Sequence, residues 1–147
     1  MSKLRILFLC TGNSCRSQMA EGFADALRGD AIEASSAGVV KHGLNPLAVK
    51  AMAEAGVDIS GHVSKTVDEL PDLDFDWVVT LCGHAAETCP YFPAGPDGRP
   101  RRVHRGFDDP PSLARDAKSE EEAMAHYRRV RDEIRAMVER IPESLED

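Results

Sequence analysis

Three stretches of the chain carry side chains capable of chemistry. The first is Cys10-Thr11-Gly12-Asn13-Ser14-Cys15-Arg16-Ser17, a polar run that follows an apolar one. The second is the pair Cys82 and Cys89, and the third is Asp109 set against Pro110. A cysteine that opens a loop leading into a helix meets unpaired backbone N–H groups and the positive end of the helix dipole. Both bind anions and favour a thiolate. Arg16, where the helix should begin, adds a planar two-pronged donor suited to a tetrahedral oxyanion. Gly12 and Asn13 tolerate the positive φ that turns loop amides inward. Ser17 is placed to donate to the thiolate or to cap the helix. Cys10 is therefore the expected nucleophile, and Thr11, Gly12, Asn13, Ser14, Cys15, Arg16 and Ser17 the expected oxyanion cradle. Cys15, on the far side of the loop, is expected to pack as a small buried hydrophobe. The plainer alternative is a strand-to-helix turn holding a buried cysteine. Neither a nucleotide-phosphate loop nor a dinucleotide glycine pattern is present.

Cys82 and Cys89 would share one face of a helix but stand about 10.5 Å apart along its axis. A disulfide needs α-carbons within roughly 7 Å, so bridging them requires the segment to unwind. A redox-driven change of shape is one expectation, and two inert thiols remain the alternative. Zinc fits the cysteine spacings poorly. His42, His62, His84, His104 and His126 show no ligand spacing either, so no metal is expected. Asp109, aimed by Pro110, is the expected proton donor to a departing oxygen, with Asp108 as the competing acid and an ordinary Asp-Pro turn as the bland reading. Arg99, Arg101, Arg102 and Arg105 read as a solvated basic face that attracts oxyanions or an acidic partner patch.

Periodicity supplies the elements that must position these groups. Leu4–Cys10 reads as a strand buried on both faces, and 17–28 as a helix with Met19, Phe23 and Leu27 on one stripe, ended by Gly29. A short strand over 31–36 follows. A helix capped by Asn45-Pro46 should then stop at Gly56. Residues 75–82 form a second buried strand. Beyond it come a short helix over 83–88, a Pro-rich loop over 90–100 and a short strand over 102–104. Paired prolines make 108–111 a loop, and 120–141 a long amphipathic helix burying Tyr127, Val130, Ile134, Val138 and Ile141. Alternating strands and helices imply one α/β domain over 1–147, a small, about four-stranded parallel sheet with helices on both faces in three layers. Ligands bind at the carboxyl ends of such strands, where Cys10 and Cys82 both fall.

The net charge of −7 over 147 residues argues against nucleic acid or an anionic membrane as partner. No apolar stretch approaches the ~20 residues of a membrane span, and the first residues lack a cleavage pattern. A soluble, cytoplasmic monomer is expected. Four cysteines in a reducing compartment then read as catalytic or redox-active before structural.

Cys10, five residues, Arg16-Ser17 and a distant Asp109-Pro110 together resemble the low-molecular-weight protein tyrosine phosphatase fold. The longer run from Cys10 to Glu21, with Cys82 and Cys89, is similar to the thioredoxin-coupled arsenate reductases built on that fold. The likeness continues through Ser36-Ala37-Gly38, His42-Gly43, Asn45-Pro46, Val78-Val79-Thr80-Leu81-Cys82 and Gly106-Phe107-Asp108-Asp109-Pro110. It implies that Cys10 attacks arsenate held by the loop and Arg16 while Asp109 protonates the departing oxygen. It further implies that Cys82 releases arsenite by forming a disulfide with Cys10, and that Cys89 then takes over Cys82. Thioredoxin is the implied reductant, and no cofactor is implied. Some relatives hold potassium with residues matching Asn13, Glu21, Ser36 and an aspartate. Lys65 stands at that fourth position, so its ammonium is expected to replace the cation. The stretch from Pro90 to Gly106 looks longer than the family pattern, and Arg105 stands where an aromatic is common. A phosphatase acting on phosphotyrosine or small phosphoesters is the enzyme alternative, needing neither Cys82 nor Cys89. An arsenite-binding or redox-sensing module is the non-enzymatic one.

Overall fold

The sequence builds a four-stranded, wholly parallel sheet in the order β2-β1-β3-β4. The computed structural model describes residues 3–82 and 97–146. Strand β1 (Leu4–Cys10) pairs with β2 (Ile32–Gly38) on one side and β3 (Trp77–Thr80) on the other, and β3 pairs with β4 (Arg101–His104). The continuous apolar run of β1 follows from its central place, because Ile6 through Cys10 are buried on both faces. Ile6 and Phe8 face a large cluster with Met19, Phe23, Met52, Val130 and Ile134. Leu7 and Leu9 face a smaller one with Phe75, Val78, Val67 and Leu70.

Helix α1 (Arg16–Arg28) follows the loop after β1, and α2 (Pro46–Glu54) follows β2. Asn45 caps α2 as expected, its Oδ1 accepting from the N–H groups of Leu47 (2.8 Å) and Ala48 (3.2 Å). Gly56 adopts φ +83° just after it, a conformation that favours glycine. The turn α3 (Pro110–Leu113) corrects the expected loop at 108–111. Pro110 and Pro111 open it at the first two helical positions, where an N–H has no partner to lose and a fixed φ is already helical. The long helix α4 (Glu120–Glu139) is capped by Ser119, whose Oγ accepts from the Glu122 N–H at 3.1 Å. Its buried stripe is Tyr127, Val130, Ile134 and Val138, as the spacing predicts, and Ile141 is buried just past its end. No helix among the described residues is long and apolar enough to cross a membrane. The expected helix at 83–88 and most of the Pro-rich loop lie outside the described residues, as does Cys89.

The connections from β1 leave toward β2 on one side and return to β3 on the other. The strand order thus reverses beside β1, and a crevice opens at its carboxyl end. The frame beneath this crevice is tied at its far end by Arg28. One guanidinium nitrogen donates to the carbonyls of Val138 (3.2 Å), Glu139 (3.2 Å) and Ile141 (2.9 Å), where α4 runs out of intrahelical donors. Arg28→Ala should lower the free energy of unfolding by about 1–3 kcal/mol in urea titrations, the range for hydrogen bonds to a charged group. An unchanged midpoint would sink this account of the α1–α4 junction.

Candidate active site

The loop from Thr11 to Cys15 joins β1 to α1 at the crevice. Its carbonyls are taken up from outside. Thr11 O accepts from the N–H groups of Val39 (2.9 Å) and Val40 (3.2 Å). Gly12 O accepts from the His42 N–H (3.0 Å) and the Ser64 hydroxyl (3.2 Å), and Ser14 O from the Asn45 N–H (3.0 Å). Because a peptide is planar, carbonyls held outward leave N–H edges turned inward, which is the condition for an anion cradle. Asn13 supplies the left-handed residue at φ +48°. Gly12 is not among the residues of positive φ, and a Cβ there would lie 2.4 Å from Nδ1 of the exposed His42 ring, which would have to turn aside. Gly38 is needed for space. A Cβ on it would meet the backbone of Val40, Asn13 and Thr11 at 2.7–2.8 Å, so the end of β2 lies directly against the loop.

Cys10 is buried, and its sulfur stands 2.8 Å from Ser17 Oγ. The direction of that bond follows from the network behind it. Asn13 Oδ1 accepts from Gln18 Nε2 (2.9 Å) and from the Lys65 N–H (2.9 Å). The Asn13 amide nitrogen therefore donates to Ser17 Oγ, at 2.8 Å. The Ser17 hydroxyl accepts there and keeps its own proton, so a Cys10 thiolate, which can only accept, takes its hydrogen bond from Ser17. Of the two roles open to Ser17, the structure selects this one. Cys15 precedes α1 without a side-chain cap. Its thiol is pushed well above the ordinary range, first by burial and then by the neighbouring Cys10 and Asp109, against a smaller pull from Arg16. Cys15 keeps its proton and packs, as expected.

The Arg16 guanidinium, 4 % exposed, donates to the carbonyls of Phe107 (3.0 Å) and Leu81 (3.4 Å), and its other terminal nitrogen lies 3.3 Å from Asp109 Oδ1. Asp109 also accepts from the Ser112 hydroxyl at 2.8 Å. Asp108 points elsewhere and pairs with Arg129 at 2.9 Å, so of the two acids Asp109 is the one that lines the cavity. A cavity of about 420 Å³ collects Cys10, Arg16 and Asp109, rimmed by His42, Leu44, Pro46 and Pro111. Cys82 is buried one residue past Leu81, whose N–H donates to Leu9 O at 2.8 Å. The register sets Cys10 level with Leu81, so Cys82 leaves the adjacent strand one residue further on, at the same end of the sheet as Cys10 but not in the lining of the cavity. Cys89 lies outside the described residues.

Several expectations change. The Lys65 ammonium does not take the place of a cation among Asn13, Glu21 and Ser36; its hydrogen bond goes to Val63 O at 3.4 Å. Ser36 Oγ instead donates directly to Glu21 at 2.6 Å. The basic run stays on the surface as expected, with Arg99, Arg101 and Arg102 exposed, but three of its side chains also have partners within the fold. Arg99 pairs with Asp74 and Asp76, Arg101 stacks 4.1 Å over Trp77, and Arg105 donates to Ser144 O at 2.8 Å. His62, which carries no signal in its spacing, meets Glu21 and Asp25, with possible metal-ligand atoms of the three within 4.8 Å. The His62 ring is already bonded to Gln18 Oε1 at 2.9 Å. Sequence reasoning did not single out Gln18 or the packing demand at Gly38. Gln18 carries no signal in its position, since it lies well off the expected stripe of Met19, Phe23 and Leu27.

Residues 5–147 match the family described as low molecular weight phosphotyrosine protein phosphatase. The arsenate reductase of Bacillus licheniformis is 52% identical over 148 residues, covering 99% of this chain and 100% of its own. That of Bacillus subtilis is 54% identical over 129 residues, 88% of each chain. A solved structure described as "An arsenate reductase in the phosphate binding state" superposes with a TM-score of 0.71 at 31% identity, covering 97% of this chain and 99% of that one.

Two outcomes test the site as described. Ser17→Ala removes the donor to the thiolate, so alkylation of Cys10 by iodoacetamide at neutral pH should slow by about tenfold, corresponding to a charge-assisted hydrogen bond of roughly 1.5 kcal/mol. A rate equal to the parent would contradict the inferred bond direction. Asp25 has its carboxyl raised above the ordinary 3.8 by burial and by Glu21. A carboxyl raised on folding weakens the fold once it ionises, above the raised value, and has no such effect below 3.8. Asp25→Asn should therefore raise Tm at neutral pH, with the gain fading as the pH falls below the carboxylate range.

Proposed function

The chain belongs to the low-molecular-weight phosphotyrosine protein phosphatase family, and from that premise we propose that it reduces arsenate to arsenite. The observation that carries this reading is Cys82. A phosphatase needs only the thiol of the loop as its nucleophile, and this chain brings a further buried cysteine to the end of the strand beside it. The described cavity rim supports a small oxyanion, because it offers His42, Leu44 and prolines and no Phe, Tyr or Trp to stack on a phosphotyrosine ring.

In this reaction the inward amides and Arg16 seat the arsenate, and the Cys10 thiolate attacks arsenic. Asp109 gives its proton to the departing oxygen, which leaves as water. The Cys82 thiolate then attacks Cys10 sulfur. The new S–S bond replaces the S–As bond, whose electron pair stays on arsenic and completes its two-electron reduction. Cys89 attacks Cys82, freeing Cys10, and the Cys82–Cys89 disulfide passes to thioredoxin by further exchange. No cofactor or metal takes part. The setting is the cytoplasm, where reducing systems keep thiols available, and the working unit is the monomer.

A thioredoxin-coupled arsenate assay tests this. Turnover should be abolished in Cys82→Ser and in Cys89→Ser, while hydrolysis of p-nitrophenyl phosphate persists in both. Arsenate turnover that survives Cys82→Ser would overturn the disulfide route. A protein that hydrolyses the aryl phosphate but never yields arsenite would be the phosphatase instead.

A further inference from the structure

The proposed reaction consumes more protons than Asp109 holds. Arsenate enters as the dihydrogen monoanion. When the thiolate displaces water from it, Asp109 supplies one proton, and a singly charged arsenic ester with one hydroxyl remains on Cys10 sulfur. When Cys82 forms its bond to that sulfur, two thiolates have become a disulfide and arsenic has gained two electrons. The fragment that departs is the dianion of arsenous acid. Arsenous acid is a very weak acid, so this fragment leaves readily only as it takes up two protons. Asp109, recharged from solvent, accounts for one.

The cavity holds few candidates for the other. Its described lining contains Cys10, Cys15, Arg16, Asp109 and His42 as ionisable side chains. Cys10 is in the breaking bond. Cys15 has its thiol pushed up by burial and retains its proton, and Arg16 stays protonated throughout. His42 is left, and its position is built into the loop. Its N–H donates to Gly12 O at 3.0 Å, and its ring packs directly over Gly12, where a Cβ would come within 2.4 Å of Nδ1. It is exposed at the rim, open to reprotonation by solvent in every cycle. Asp109, Arg16 and Cys10 share the cavity with it, and the adjoining Lys41 is engaged by Glu69 at 2.8 Å.

We propose that the His42 imidazolium donates a proton, directly or through one water, to the arsenite oxygen as the S–As bond breaks. The inference rests on the arsenate-reductase reading. Imidazole is the side chain that exchanges a proton near neutrality, which suits a donor that must reload on each turnover. Asp109 thus serves the departure of water and gives one proton to departing arsenite, and His42 gives the other.

Single-turnover reactions of the full chain with arsenate, without thioredoxin, read the step as arsenite released per enzyme. His42→Gln and His42→Ala should slow release by about 10- to 100-fold, at the low end for a general acid because solvent partly substitutes. Both should depend on pH less steeply than the parent in arsenite release. Added imidazole should restore His42→Ala in part. Release rates and pH profiles matching the parent would overturn the proposal. So would a loss that imidazole does not rescue and that p-nitrophenyl phosphate hydrolysis shares in equal proportion, since that marks a role in holding Gly12 alone. Failure of the parent itself to yield arsenite would reject the arsenate-reductase reading instead.

Discussion

The side-chain amide of Asn13 sits at the point on which the chemistry depends. Two donors, Gln18 and the Lys65 backbone, hold its oxygen, so its nitrogen faces Ser17, and the Ser17 hydroxyl keeps its proton for a Cys10 thiolate. One amide orientation thereby sets a donor series that ends beside the nucleophile. Its φ of +48° also turns the loop at the place where the amides have to converge. Neutral hydrogen bonds contribute little to stability singly, yet in a buried, fully satisfied series they leave a single arrangement available.

The surrounding elements hold that arrangement from outside. The residues after β2 occupy the loop's carbonyls, and Gly38 lets β2 approach closely enough to do so. Arg16 performs the corresponding task on the other side. Its guanidinium binds the carbonyls of Leu81 and Phe107 and reaches Asp109, joining the ends of the third and fourth strands to the loop. The same side chain thus holds the acid over the cavity and presents positive charge to an oxyanion. Burying it is tolerable because carbonyls and a carboxylate replace its water.

Much of the fold was legible because periodicity and punctuation are local. The apolar run of Leu4–Cys10, the Asn45-Pro46 start and the stripe from Tyr127 to Val138 each reflect one neighbourhood of the chain. Pro110-Pro111 misled, because paired prolines forbid a helix interior but suit a helix start, and the sequence does not say which applies. The basic run was legible as a solvated face, but its partners were not: Asp74, Asp76 and Trp77 become neighbours only through the pairing of β3 with β4.

The sequence by itself determined the residue types at the site: a thiol at the mouth of a helix, an arginine to match an oxyanion, and an acid fixed by proline. It also set two further thiols downstream, and with them the resemblance to arsenate reductases. These rest on side-chain chemistry and short spacing, which need no knowledge of the fold. Tertiary structure decided what those groups touch. It placed Asp109 and not Asp108 on the cavity, kept the Ser17 proton for a Cys10 thiolate, kept the Lys65 ammonium away from Glu21 and set His42 on the rim. Each of those choices is a contact between segments far apart in the chain, and only the packing of β1 between β2 and β3 brings such segments within hydrogen-bond reach.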